Sequence, residues 1–164
     1  MYRNCQEFIL RKRDSTPITY CCRSLESKDE AGFCAAGILL RDSTDRVFMI
    51  REERVKDGIK FSKYNFVGGK RDCRRGWFGQ IRLETSIETA VAEFEEETGC
   101  RIPTKKYDNV FWFPHSKYAL FVVRGSIDSA VGKWFSHKEI EEGISSDQFH
   151  DYIIWQLRAI LAVV

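Results

Sequence analysis

The chain has 164 residues, 43% of them hydrophobic and 30% charged, with 26 Lys and Arg against 24 Asp and Glu. That length suits a single domain over 1–164, with residues 1–31 as an N-terminal extension or strand, and the composition excludes a disordered chain. A net charge of +2 excludes a general nucleic-acid coat or a membrane-surface protein, so any specialised charge must be local.

At the N-terminus, Arg3, Glu7, Arg11, Lys12 and Arg13 stand where an export signal is apolar, and no apolar run reaches the roughly 20 residues that cross a bilayer. The expectation is a cytoplasmic chain with no membrane association. Its six cysteines are then reduced thiols, and with no C-x-x-C pair among them a structural zinc site is not expected. Phe33 to Leu40 is apolar and leads through the polar turn Arg41 to Asp45 into Val47 to Ile50, which predicts a hairpin. Lys63 to Val67 alternates aromatic and polar residues before Gly68-Gly69, a short strand entering a loop that needs unusual backbone angles. A helix is predicted from Ser86 to Thr98, with Thr85 as N-cap, Glu88 as its capping-box partner and Gly99 at the C′ position. Strands follow at Asn109 to Phe113 and Tyr118 to Val123, then helical spacing from Asp147 to Val163. Strands and helices without regular βαβ alternation predict an α/β fold with a mixed, partly antiparallel sheet and helices on its faces.

On a helical wheel, Ile87, Val91, Phe94 and Thr98 form the expected buried stripe, and Glu93, Glu96 and Glu97 share another edge. Like charges at these spacings cost a few tenths of a kcal/mol per pair, and no Lys or Arg lies between Glu84 and Gly99 to offset them. A solvated surface explains such a face on charge alone; a hard divalent cation such as Mg²⁺ or Mn²⁺ explains why the carboxylates gather. Just upstream stands a basic block, Arg51, Arg54, Lys56, Lys60, Lys63, Lys70, Arg71, Arg74, Arg75 and Arg82. Cations beside a metal-binding carboxylate edge suit a pyrophosphate substrate; taken alone, the block also suits a solvated loop or an RNA-binding patch.

Gly68-Gly69-Lys70, Glu84 and the run Ala92 to Cys100 resemble the Nudix box, G-x5-E-x7-R-E-U-x-E-E-x-G-U with U bulky and apolar. Glu93, Phe94, Glu96, Glu97 and Gly99 all match, and the strands Phe48 to Glu52 and Tyr64 to Gly69 and the segment Lys133 to Phe135 also resemble the family. Two departures stand out. Fourteen residues separate Gly69 from Glu84 where the family has five, so Arg74 to Gln80 reads as an insertion with Trp77 and Phe78 at its tip. Ala92 takes the place of an arginine that orients the carboxylates, a loss of the kind that lowers metal affinity or rate by about one or two orders of magnitude. Arg82 or a residue of the inserted loop is the expected substitute.

The resemblance implies a Nudix-type α/β/α sandwich in which Glu93, Glu96 and Glu97, the Gly68 carbonyl and a supporting Glu84 hold Mg²⁺, with Mn²⁺ as a substitute. It implies that Glu93, Glu96 and Glu97 are catalytic, with the base at Glu96, Glu97 or a downstream acid, for which Asp128, Glu139, Glu141 and Glu142 are available. Arg51, Arg54 and Lys70 are the expected phosphate contacts, and Phe66 and Phe113 the expected apolar contacts to substrate. His115, His137 and His150 share no motif and read as isolated polar residues. The implied activity is Mg²⁺-dependent pyrophosphohydrolysis of a nucleoside diphosphate joined to another group: a nucleotide sugar, a dinucleotide or a capped RNA end. The rival is a catalytically weakened Nudix-like module that binds nucleotide or RNA.

Overall fold

A computed structural model describes residues 6–11, 17–22, 25–71, 73–75, 81–104 and 106–163. The elements are β1 (Gln6–Arg11), β2 (Pro17–Cys22), α1 (Ser27–Gly32), β3 (Ala35–Arg41), β4 (Val47–Lys56), β5 (Ile59–Asn65), β6 (Val67–Lys70), β7 (Cys73–Arg75) and β8 (Ile81–Leu83). After them come α2 (Ser86–Thr98), β9 (Asn109–Phe113), β10 (Tyr118–Arg124), β11 (Gly132–Phe135), α3 (His137–Ser145), a 3-10 turn (Asp151–Ile153) and α4 (Ile154–Val163). Among the described residues nine strands form one mixed sheet in the order β1-β2-β9-β10-β3-β4-β11, with β5 paired to β4 and β6 to β3; β7 and β8 pair apart from it. β3 and β10 run parallel, from Ala35 opposite Tyr118 to Arg41 opposite Arg124. The expected α/β/α sandwich is what the chain forms.

Strand alternation builds two cores, one on each face of the sheet. Ile38, Leu40, Phe48, Ile50, Trp112 and Phe121 point to the face covered by Ala90 and Phe94 of α2. Leu39, Met49, Phe111, Phe113, Leu120 and Val122 point the other way, under Ile140 of α3 and Leu157 and Ile160 of α4. Each fully buried Leu, Ile or Phe contributes about 1.5–3 kcal/mol, so apolar burial holds both helical layers. No helix among the described residues is long and apolar enough to cross a membrane.

The strands that position the site depart from the sequence expectation in length. β4 runs on past Ile50 to Lys56 and returns as β5, closed by Asp57 (φ 54°) and Gly58 (φ 76°), a pair of left-handed residues that fits a two-residue hairpin turn. β3 and β4 meet at Arg41 opposite Val47; beyond that, β6 pairs with Ala35 to Ile38 of β3. The chain therefore crosses from β4 to β3 at Phe66. The expected single helix from Asp147 is also shorter: Asp147 turns with φ 59°, Phe149 is fully buried and bridges Tyr64, and the α-helix begins at Ile154. Burial of Phe149 against Phe135, ring centroids 5.3 Å apart, overrides local helical spacing.

Candidate active site

Helix α2 starts where the sequence placed it. The Thr85 side chain accepts from the Glu88 amide, Glu88 Oε1 accepts from the Thr85 amide at 3.1 Å, and Gly99 ends the helix at φ 69°. Glu30 of α1 adds a second clamp, accepting from the Ser86 amide at 3.0 Å and from its hydroxyl, so a carboxylate sits on the positive end of the helix dipole. The buried face, however, is rotated from the expected stripe. Ser86, Thr89, Ala90, Phe94 and Thr98 are buried, whereas Ile87 and Val91 are half-buried. Ser86, Ala90, Glu93 and Glu97 fall on one arc of about 60°, so small residues bring the helix close to the sheet and two glutamates go in with them. Glu96 stays exposed.

The Gly-Gly pair is not the unusual loop that the sequence suggested. Gly68 and Gly69 lie in β6, opposite Gly37 and Ala36 of β3, and the positive-φ glycines among the described residues are Gly58 and Gly99. What requires glycine here is close approach. A Cβ on Gly69 would stand 2.3–2.8 Å from the Glu93 carboxyl atoms. A Cβ on Gly68 would stand 2.7 Å from the Ala36 carbonyl oxygen, the Gly37 Cα and the Tyr118 hydroxyl. Tyr118 was not singled out in the sequence; its ring end lies over the glycines of two adjacent strands.

Glu97 is the electrostatic centre of the site. Burial, then the charges of Glu52, Glu93 and Glu96, push its carboxyl up to about 8. Its Oε2 is buried and has no hydrogen-bond partner among the described residues. Burial first, and then the negative charges of Glu97 and Glu52, also raise the Tyr118 hydroxyl. Glu52, seen in the sequence only as part of a strand, thus acts on the centre from β4. Among the described residues no three His, Cys, Asp or Glu side chains form a ready metal site. The donor types nonetheless suit a hard cation: the charges of three other carboxylates act on Glu97, and one buried oxygen of Glu97 has no hydrogen-bond partner among the described residues.

The remaining expected site residues divide. Glu84 is buried, accepts from the Thr89 hydroxyl at 3.5 Å and precedes the helix. Arg51, Arg54 and Lys70 are exposed. Arg51 Nε donates to the Ser62 hydroxyl, and Arg54 Nη2 donates to Glu52 Oε2 at 3.3 Å and to the Tyr152 hydroxyl at 3.0 Å. Phe66 and Phe113, expected as substrate contacts, are 4% and 2% exposed and pack in the core on the α3/α4 face, so neither has a ring face left for a ligand. Of the downstream acids, Glu139 closes the capping box of α3, and Asp128, Glu141 and Glu142 are exposed. Ala92 is half-buried. Arg71 braces the approach to the helix, with Nε on the Glu84 carbonyl and Nη1 on the Ala31 carbonyl, both at 3.0 Å, and its guanidinium 4.2 Å from the Phe33 ring centroid. Trp77, Phe78 and the side chain of Arg82 lie outside the described residues.

The basic block is less segregated in space than in sequence, since Lys63 pairs with Asp147 at 2.8 Å and Arg71 and Arg54 are engaged as above. His150 is not the isolated polar residue expected. It is buried, its ring stacks on Tyr152 at 5.4 Å and 17°, and its Nε2 stands 3.5 Å from Glu52 Oε2.

A mixed sheet between helical layers, with a glutamate-bearing helix seated on a glycine strand, is the Nudix fold. The chain shares it with the pyrophosphohydrolase BsRppH of Bacillus subtilis at a TM-score of 0.56 and 15% identity, over 94% of this chain and 93% of that one. It shares it also with the MutT protein of Methanosarcina mazei Go1 at a TM-score of 0.50 and 16% identity, over 83% of this chain and 95% of that one. At such identities the likeness is one of fold. No protein-family model and no curated protein sequence matches the chain.

Proposed function

We propose that the protein is a Mg²⁺-dependent pyrophosphohydrolase, with Mn²⁺ as a substitute, acting on a nucleoside diphosphate joined to another group, a class that includes nucleotide sugars, dinucleotides and capped RNA ends. The observation that carries this reading is the half-buried Glu97, on which the charges of Glu52, Glu93 and Glu96 act and whose buried Oε2 has no hydrogen-bond partner among the described residues. Four acids gathered this way repel one another unless a proton or a cation answers them, and a cation answers more than one carboxylate at once. The fold shared with a protein described as a pyrophosphohydrolase supports the reading.

Glu93, Glu96 and Glu97, with the Gly68 carbonyl and Glu84 behind them, are the residues that hold the cation. When bound, it supplies Lewis-acid polarisation of a phosphoryl oxygen and a more acidic water. Gly69 leaves room for the Glu93 carboxyl group against β6. Arg51, Arg54 and Lys70 stand exposed to receive phosphate oxygens, and bidentate arginine contacts orient a phosphoryl group as well as bind it. Ala92 contributes no charge to this arrangement.

The test is hydrolysis of a panel of ADP-ribose, NADH, diadenosine polyphosphates, nucleoside triphosphates and capped RNA with Mg²⁺, Mn²⁺ or EDTA, beside Glu97→Gln and Glu96→Gln. The expected outcome is metal-dependent cleavage of at least one compound and a loss of roughly a hundredfold or more in Glu97→Gln. Binding of a panel member without cleavage under every metal condition would replace the enzyme by a nucleotide-binding module.

A further inference from the structure

Twelve residues, 72–83, separate Arg71 at the end of β6 from Glu84 at the start of α2. Part of that segment pairs with itself, Cys73 opposite Leu83, in a two-stranded ribbon apart from the main sheet. Such a ribbon is marginally stable alone, and its pairing does not orient its root against the helices. One side chain does. Arg71 Nε donates to the Glu84 carbonyl at 3.0 Å, across the whole segment. Its Nη1 donates to the Ala31 carbonyl near the end of α1, also at 3.0 Å, and the guanidinium lies 4.2 Å from the ring centroid of buried Phe33. The Arg71 amide donates to the Cys34 carbonyl at 2.9 Å, so backbone and side chain are both held. The neighbour of Ala31 closes a ring of contacts, because Glu30 accepts from the Ser86 amide at 3.0 Å and from the Ser86 hydroxyl. The end of β6, helix α1 and the start of α2 are thus tied at one junction.

We propose that Arg71 is a positioning residue for the cation site: it fixes the start of α2 against β6, and with it the place of Glu93 and Glu97, whatever the length of the segment between. This rests on the reading of those glutamates as cation ligands. Gly69, two residues before Arg71, is where β6 makes room for the Glu93 carboxyl group, which a Cβ would approach to 2.3–2.8 Å. So close a fit tolerates little drift of the helix. Glu84, whose carbonyl Arg71 grips, stands beside the N-cap Thr85, and its carboxylate accepts from the Thr89 hydroxyl of the first turns at 3.5 Å. A hold on Glu84 is therefore a hold on the helix. Arginine suits the task because its guanidinium stays charged and carries its donors in one rigid plane, so a single side chain holds two carbonyls through charge-assisted hydrogen bonds. A twelve-residue connection by itself leaves the distance between its ends loosely set, since closing it costs chain entropy. In this role Arg71 acts through α2 and needs no contact with cation or substrate.

The experiment compares wild type, Arg71→Met, Arg71→Lys, a deletion of residues 74–80, and that deletion combined with Arg71→Met, in calorimetric binding of Mn²⁺ alone and in hydrolysis of the best panel substrate. Methionine keeps an apolar chain over Phe33 and removes both carbonyl contacts. Losses of an indirect partner run at about 10–100-fold, so Arg71→Met should bind Mn²⁺ at least tenfold more weakly, and at saturating Mn²⁺ its kcat should fall about tenfold or more with KM within threefold. Arg71→Lys, which holds one carbonyl but not both, should fall between. In the shortened protein five residues link Arg71 to Glu84, the chain itself limits their separation, and Arg71→Met should cost less than threefold in Mn²⁺ affinity. Equal losses with and without residues 74–80 would overturn the proposal, and so would a lower Tm for Arg71→Met at unchanged Mn²⁺ affinity. Where the deletion does not fold, hydrogen exchange of the metal-free full-length protein decides: amides of 85–92 should exchange at least tenfold faster in Arg71→Met while those of 109–123 stay as in wild type, and equal exchange at 85–92 overturns the idea. Neither calorimetry nor exchange needs turnover. A wild type that binds Mn²⁺ and cleaves nothing counts against the hydrolase reading alone; a wild type that binds no Mn²⁺ removes both.

Discussion

Adding one methyl group at each of two adjacent glycines should separate the chemistry of the site from its architecture. At Gly69 the atoms nearest an added Cβ are the carboxyl end of Glu93, at 2.3, 2.4 and 2.8 Å. Ordinary contact requires about 3.5 Å, so the carboxylate must retreat by about 1 Å, which a flexible side chain does at an off-rotamer cost of about 0.5–1.5 kcal/mol. Because Gly69 lies in regular strand without positive φ, alanine recovers about 0.4–1 kcal/mol through the unfolded chain. The net change in stability is then within about 1 kcal/mol, or about 2–4 °C in Tm for a domain of this size. At Gly68 the same methyl meets the Ala36 carbonyl oxygen and the Gly37 Cα, backbone atoms of a central strand that cannot swing aside. Overpacking of that kind costs about 1–3 kcal/mol. Gly68→Ala should therefore unfold about 2–12 °C below wild type in calorimetry, while Gly69→Ala unfolds near wild type yet loses about a hundredfold in kcat, the cost of a 1 Å misplacement at a reacting centre. Equal melting temperatures for the two variants, or a Gly69→Ala enzyme within threefold of wild-type kcat, would refute the reasoning.

Two further outcomes follow from the charge distribution. Glu97, pushed up to about 8 by burial and by Glu52, Glu93 and Glu96, binds its proton more tightly folded than unfolded. In EDTA, wild-type stability should fall as pH rises from about 5 to 8, and Glu97→Gln should exceed wild type in Tm at pH 8; no difference between them at pH 8 would contradict the buried charge cluster. Adding Mn²⁺ at ten times its Kd should stabilise wild type by about 1.4 kcal/mol and the variant by less. Asp42, at the turn between β3 and β4, runs the other way: burial alone would raise its pKa, but hydrogen bonds from Arg46 and Thr44 bring it down to about 2. It accepts from the Thr44 amide and hydroxyl and from the amide and Nε of Arg46, all at 2.8–2.9 Å. The unfolded chain binds that proton more tightly, so its contribution is complete above about pH 4 and disappears as pH falls through 2. Urea midpoints of Asp42→Ala should lie below wild type at pH 6 and converge with it near pH 2.

Local sequence signals match the structure where one short-range rule decides the outcome. Thr85, Glu88 and Gly99 specify both ends of α2, and the short apolar runs Asn109 to Phe113 and Tyr118 to Val123, either side of a polar turn, specify two strands, each within a residue or two of the structure. The errors lie where a distant partner decides. The rotation of α2 that turns Glu93 and Glu97 inward depends on β6 lacking side chains at Gly68 and Gly69, so a helical wheel weighted by hydrophobicity settled on Ile87 and Val91 instead. Phe66 and Phe113 looked available because strand position alone does not say which face meets solvent. Glu52, Tyr118, His150 and Tyr152 carry no motif. They come together because β4 overruns Ile50 and because Phe149 docks beside Tyr64, and a polar, exposed hairpin such as Arg51 to Lys63 has no apolar alternation to announce it.

The parallel pairing of β3 with β10 has a consequence for how the chain is made. Ala35 and Tyr118 are about eighty residues apart, so on a ribosome β3 must wait until most of the chain has emerged before its central partner arrives. The β4–β5 hairpin, β6 and α2 are complete by Gly99, and each meets β3 or its neighbour without β10. The half that bears the glutamates is thus translated first, with the opposite edge of β3 bare and its apolar row, Leu39 among it, still uncovered. Such a long-range closure belongs to the slow end of domain folding, in the range of milliseconds to seconds, and leaves an open strand edge exposed to other chains in the interval. The nascent chain therefore carries the whole glutamate helix before β10, the strand that closes the sheet against β3, has been made.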